Sequence, residues 1–198
     1  MGFRPSDNEC GRYNVPVNAL VSIAMRKTAE LSRAVYKDEA LAKLADSLAD
    51  EIEAGIATYG TAPHPDKPGE KIYAYSTDGL GNTTLIDDAN TPSLLSLEYF
   101  GWKGDEAVMK STREFVLSDK NPWYHVGPCA KGVGSSHTPG QMIWPMALIS
   151  QVRTPPCSCG WSIKLRHAFA NDLLNACGLF LRRRLRARTR PRLAVPCR

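Results

Sequence analysis

The chain has 198 residues, 43% hydrophobic and 23% charged, with a formal net charge of +5. That length and balance fit one globular domain with room for a core, and exclude a disordered or fibrous chain. No apolar run reaches the roughly 20 residues that cross a bilayer, and Met1-Gly2-Phe3-Arg4-Pro5 has no apolar stretch behind a basic end, so neither a membrane span nor a secretory leader is expected.

In chain order, the first ten residues read as a polar entry loop. Arg4-Pro5-Ser6-Asp7 offers a cation, a hydroxyl and a carboxylate in succession. Spacing alone also allows Ser6 or Asp7 to cap a helix with Glu9 in its first turn. Over residues 15–36, Val17, Leu20, Val21, Ala24, Met25, Thr28 and Leu31 recur at three- and four-residue steps and predict a helix. Asn18, near its start, reads equally as a cap or solvated residue and as a site group. Residues 38–59 predict a second helix, with Leu41, Leu44, Ala45, Leu48, Ile52 and Ile56 on one face, solvated acids on the other and Gly60 as the stop. Residues 61–69 hold three prolines and read as a loop with His64 exposed.

The densest chemistry lies in residues 71–96. Three carboxylates (Asp78, Asp87, Asp88), two amides (Asn82, Asn90) and two glycines fall in one loop-rich passage. Residues 72–76 alternate like a strand, and Asp78-Gly79 is a turn pair. Thr91 suits an N-cap and Pro92 the first helical position, ahead of an apolar face begun by Leu94, Leu95 and Leu97. Asp87 and Asp88 thus precede a helix N-terminus, which favours anionic groups. Short helices follow at residues 94–100 and 105–117, the latter with Ala107, Val108, Ser111, Phe115 and Val116 inward. Asn121-Pro122-Trp123-Tyr124-His125 is an aromatic turn suited either to a core or to a sugar-stacking wall. Residues 132–140 form a glycine-rich loop without the G-K-[ST] of a phosphate cradle, and His137 in it can exchange hydrogen bonds with a hydroxyl. Residues 141–152 read as a last helix, with Trp144 and Pro145 in its first turns.

These blocks resemble a known family. Tyr73-Ala74-Tyr75 with Asp78-Gly79-Leu80-Gly81-Asn82, and Asp87-Asp88-Ala89-Asn90 with Pro92-Ser93-Leu94-Leu95-Ser96, are similar to glycoside hydrolase family 125, the exo-acting α-1,6-mannosidases. The likeness runs from Phe3-Arg4-Pro5-Ser6-Asp7 to Ile143-Trp144-Pro145, about residues 3–150. It implies a mostly α chain, here part of an (α/α)6 toroid of helical hairpins with long functional loops, since about half the expected helices are present. It implies inverting hydrolysis of terminal mannose from a mannose-containing glycan, with no cofactor and no metal. Such enzymes set an acid and a base about 6.5–9.5 Å apart, leaving room for a water. The family's acid motif is R-P-S-D-D. Here it reads Arg4-Pro5-Ser6-Asp7-Asn8, so Asp7 is the candidate general acid, and the acid is lost if Asn8 holds the catalytic position. The base belongs to an M-H-E-S-like block after the I-W-P helix, but no glutamate follows Glu114, so the general base is absent. The implied substrate-binding set is Arg4, Ser6, Asp78, Asn82, Asp87, Asp88, Asn90, His137 and Trp144.

The final stretch departs from this pattern. Residues 151–198 hold ten Arg, one Lys and one acid, Asp172, for a net +10, which leaves −5 on the rest. Residues 1–152 are therefore expected to be the glycosidase portion, lacking an N-terminal part. Residues 153–198 are expected to be a divergent Arg/Cys-rich tail, of the composition a shifted or mis-spliced reading frame gives, and not a separate domain. Four of the six cysteines lie in that tail, and Cys157-Ser158-Cys159 lacks zinc-knuckle spacing. Two alternatives to an active hydrolase stand: a non-catalytic mannose-binding remnant, and an anionic-surface or nucleic-acid binder through the eight arginines of residues 182–198. No aromatic interleaves those arginines, so specific nucleic-acid recognition has no support. Compartment and oligomeric state are not legible.

Overall fold

The computed structural model describes residues 12–128 and 130–153. Its first unit is a helical hairpin. Helix α1 (Val15–Leu31) is capped by Asn14, whose Oδ1 accepts the Val17 N–H at 2.9 Å, with proline at the second position. It runs on as one π-type turn (Ser32–Tyr36), and Lys37 breaks it in the left-handed region at φ 55°. Helix α2 (Glu39–Tyr59) is capped by Asp38 and stops at Gly60, where an added Cβ would lie 2.7 Å from the Ile56 carbonyl oxygen.

The hairpin interface is built of small residues. Ala19, Ser22 and Ala29 of α1 and Ala42, Ala45, Ala49 and Ile56 of α2 are buried. The expected leucine face is therefore displaced: Leu41, Leu44 and Leu48 are 43%, 57% and 40% exposed. Close approach of two helices selects alanine, and the adjacent leucine stripe is left outside. The acids of α2 are solvated, as expected, but they are also paired across the hairpin. Arg26 reaches Asp50 and Glu53, and Arg33 reaches Glu39 and Asp46.

Short strands connect the helices. Strands β2 (Thr61–Pro63) and β3 (Lys71–Tyr73) pair antiparallel, so part of the expected 61–69 loop is a strand. His64 is not exposed: its ring meets Phe115 edge-on at 6.2 Å, and Nδ1 accepts the Asp66 N–H. A three-stranded antiparallel sheet orders β1 (Tyr13–Asn14), β4 (Ser76–Thr77) and β5 (Thr83–Thr84), with Tyr13 opposite Thr77 and Thr77 opposite Thr83.

A 3-10 turn (Leu94–Ser96) runs into α3 (Leu97–Phe100), which ends at Gly101 with φ 88°. The cap is Ser93, whose N–H donates to Ser96 Oγ at 2.8 Å. Thr91 and Pro92 lie ahead of it, joined by a cis peptide, and are not the N-cap and first helical residue that the sequence led us to expect. Helix α4 (Glu106–Val116) is capped by Asp105 and buries Ser111, Thr112, Phe115 and Val116, with Ala107 exposed. Strands β6 (Tyr124–Val126) and β7 (Lys131–Val133) form a hairpin, and α5 (Pro145–Arg153) opens on its proline immediately after Trp144.

One core joins these parts: Val15, Ile56, Ile72, Tyr73, Leu94, Leu97, Phe115, Val116 and Val133 are among its members. α3 packs on α1, and its leading 3-10 turn packs on α5 and on α4. α3 thus lies against α1, the turn that leads into it lies against α5, and α3 and α5 each follow a stretch that carries candidate site residues.

Candidate functional site

Arg12, beside strand β1, is the first described residue; Arg4, Ser6, Asp7 and Asn8 lie outside the described residues, as do Asp172 and the 153–198 tail beyond Arg153. The register that sets Tyr13 opposite Thr77 carries Arg12 toward the Asp78 turn, and Arg12 Nη1 donates to Thr84 Oγ1 on β5.

Asp78 organises its own turn. Its Oδ1 accepts the Leu80 and Asn82 N–H groups at 2.8 and 3.0 Å, and Oδ2 accepts Asn82 Nδ2. Those donors, the Asn82 amide first, hold its carboxyl below the usual range. Gly79 and Gly81 take φ of 75° and 106°, which only glycine adopts at little cost. The turn borders an open groove of about 440 Å³ between α1, α2 and residues 77–79, with Tyr13, Asn18 and Tyr59 on its walls. Asn18 donates from Nδ2 to the Asn14 carbonyl.

The adjacent carboxylates Asp87 and Asp88 serve different loops. Asp87 is fully buried, and its two oxygens accept the Leu94 and Leu95 N–H groups at 2.8 and 3.0 Å. Its own N–H donates to Asn121 Oδ1, and Asn121 Nδ2 donates to the Val116 carbonyl. Burial pushes the Asp87 carboxyl up to about 7, against the two backbone donors that favour the anion. Asp87 therefore anchors the start of the 94–100 segment and presents no oxygen to solvent.

Asp88 is 4% exposed and reaches the glycine-rich loop of residues 132–140. Its Oδ2 accepts Ser135 Oγ at 3.0 Å and Ser136 N and Oγ at 3.3 and 3.2 Å, while Oδ1 accepts the Asn90 N–H. Backbone bonds run alongside: Ala89 N–H to the Gly134 carbonyl, and Gly134 N–H to the Trp123 carbonyl. Within the loop, the His137 N–H donates to Ser135 Oγ and Trp144 Nε1 donates to Thr138 Oγ1. Gly134 is tight: a Cβ there would lie 2.3 Å from the Met142 carbonyl oxygen.

The sequence-derived set thus falls into two groups. Asp78 and Asn82 stand beside Arg12. Asp88, Asn90, His137 and Trp144 stand with the glycine-rich loop. Ser135, Ser136, Thr138 and Asn121 are site-building residues that sequence reasoning missed. The signal for the first three was the Gly-Ser-Ser-His-Thr run itself, read there for its histidine alone. Among the described residues, no three His, Cys, Asp or Glu side chains gather closely enough to hold a metal ion, and no helix is long and apolar enough to cross a membrane.

Known proteins carry the same segment. Residues 1–158 match the model of the metal-independent α-mannosidases, GH125. The chain belongs to this family. It is 39% identical over 155 residues to the meiotically up-regulated gene 157 protein of Schizosaccharomyces pombe, covering 77% of this chain and 30% of that protein. It is also similar to a metal-independent α-mannosidase of Streptococcus pneumoniae solved in a non-productive complex with α-1,6-mannobiose. The TM-score is 0.68 at 41% identity, over 76% of this chain and 36% of that one. The chain spans about a third of the length of these GH125 relatives. The likeness establishes its helical hairpins as part of the GH125 fold.

Proposed function

We propose that these 198 residues carry mannose-binding loops and the acid side of an inverting exo-α-1,6-mannosidase site. The observation that carries the reading is the likeness, over 76% of this chain, to a neighbour held with α-1,6-mannobiose. A mannoside needs hydroxyl-binding groups and an apolar wall, and the 134–144 segment offers both in His137 and Trp144 beside an ordered loop.

In this reading Asp7 protonates the leaving oxygen as the glycosidic bond breaks, and Arg4 and Ser6 hold the sugar beside it. Asn8 has no acidic proton to give. Asp78, Asn82, Asn90, His137 and Trp144 surround the sugar, and Asp87 holds the helix beneath them. The partner carboxylate must take a proton from water on the opposite face of the ring. No glutamate follows Glu114, so these residues supply no base of the family's pattern. Loss of a positioned base lowers the rate by about 10²–10⁴. The chain is thus a mannoside binder with little turnover.

The test is hydrolysis and binding of α-1,6-mannobiose by the purified chain, beside a full-length family member. Saturable binding is expected, with turnover at least about 10² below the full-length enzyme and what remains abolished by Asp7→Asn. No binding at millimolar sugar would refute the mannoside reading. Turnover within tenfold of the full-length enzyme, abolished by Asp172→Asn, would refute the missing base.

A further inference from the structure

We propose that Asp88 is a positioning residue, which sets the serine pair Ser135–Ser136 and through it the pose of His137, and that it does not touch the sugar. The proposal rests on the mannoside reading of this site and changes the part Asp88 plays in it.

A carboxylate has about four lone-pair sites. At Asp88 three donors, Ser135 Oγ, Ser136 N and Ser136 Oγ, crowd Oδ2, and the Asn90 N–H takes one side of Oδ1. With 4% of its surface open, the carboxylate is turned to the protein and away from a ligand. The segment it holds is different. Ser136 and His137 are exposed, and His137 hangs from Ser135 Oγ by its own N–H at 3.2 Å. One hydroxyl, Ser135 Oγ, therefore donates to Asp88 and accepts the His137 backbone N–H, so the carboxylate's position is passed to the backbone that carries the imidazole.

The rest of the loop is already fixed. Gly134 is held by the Ala89 N–H and the Trp123 carbonyl and bridges to Ile143, and Thr138 N–H donates to the Ser135 carbonyl. The 135–136 edge is tied by a side chain from far along the chain, Asp88. A charged acceptor makes these bonds stronger than neutral ones and harder to replace. The amide of Asn in its place keeps the shape but turns a donor toward groups that donate.

The experiment is a double-mutant cycle in the full chain. Asp88→Asn, the pair Ser135→Ala with Ser136→Ala, and all three together are compared by calorimetry with α-1,6-mannobiose and by the ring resonances of His137. Asp88→Asn and the serine pair should each lower affinity about tenfold, and the triple variant no further, because the residues act as one unit. The His137 resonances should move in all three. If the serine pair keeps wild-type affinity and wild-type His137 resonances while Asp88→Asn loses affinity, Asp88 contacts the sugar and the proposal fails. It fails equally if Asp88→Asn leaves the His137 resonances unmoved. If the wild-type chain binds no mannobiose but the resonances move as stated, positioning stands and the mannoside reading falls. Ser136→Ala alone, at an exposed position, gives the same resonance test should Asp88→Asn not fold.

Discussion

The α1–α2 hairpin and the loop layer at the N-terminal ends of α3 and α5 use the same acidic residues in opposite ways. In the hairpin, Asp46, Asp50 and Glu53 lie at the surface and pair directly with Arg26, while the buried contact is alanine on alanine. In the loop layer, Asp87, Asp88 and Asn121 are 0%, 4% and 1% exposed and bind mainly backbone groups and serines. Water screens the first set and satisfies it if a partner is lost. Nothing replaces the partner of the second, because an unmade buried hydrogen bond keeps its full desolvation cost. The hairpin is therefore a tolerant scaffold, and the loop layer is where single atoms decide structure.

The largest test of that contrast is Asp87→Ala. It strands two buried N–H groups, at Leu94 and Leu95, each at a cost of about 1–3 kcal/mol, and we expect a loss of about 3 kcal/mol or more in urea unfolding. Next is its pH dependence. Because burial raises the Asp87 carboxyl from 3.8 to about 7, the native chain holds that proton more tightly than the unfolded chain. The group's stabilisation is complete below about pH 4 and is lost as pH rises toward 7, on the order of a few kcal/mol. Other carboxyls, such as Asp46 and Glu70, are lowered and give the opposite slope. The measured quantity is thus wild type minus Asp87→Asn, which should fall between pH 4 and pH 7; a flat difference would sink the assignment.

Gly134→Ala comes third. Its Cβ meets the Met142 backbone first and the His125 ring next, so about 1–3 kcal/mol of overpacking is expected, with weaker mannobiose binding. Last is Arg26→Ala in the hairpin. Exposed ion pairs are worth about 0.2–1 kcal/mol, so unfolding should shift by less than about 1 kcal/mol and mannobiose affinity should not change. An Arg26→Ala loss equal to that of Asp87→Ala would remove the distinction between the regions.

Much of the helical frame was legible. The helices read as starting at residues 38 and 105 begin there, and the stop at Gly60 stands; that Asp38 and Asp105 are the caps is what the structure adds. The family, too, was readable from its motifs. What sequence could not give was which of two adjacent apolar stripes on α2 meets α1. Leu41, Leu44 and Leu48 and Ala42, Ala45 and Ala49 lie side by side on the helix, and the choice belongs to helix spacing. His64 was read as exposed because prolines surround it, whereas its burial comes from Phe115, far along the chain. In the site, residue types were visible but their directions were not. Asp87 and Asp88 are neighbours in sequence, and only the fold turns one into the 94–95 backbone and the other toward Ser135.

The central claim is that this loop layer recognises a mannoside. Calorimetric titration of the chain with α-1,6-mannobiose and with its glucose counterpart, α-1,6-glucobiose, tests it most directly. We expect saturable mannobiose binding, weaker binding of the glucose disaccharide, at least a tenfold loss in His137→Ala and none in Arg26→Ala. Equal affinity for the two sugars, no heat with either, or wild-type affinity in His137→Ala would contradict it.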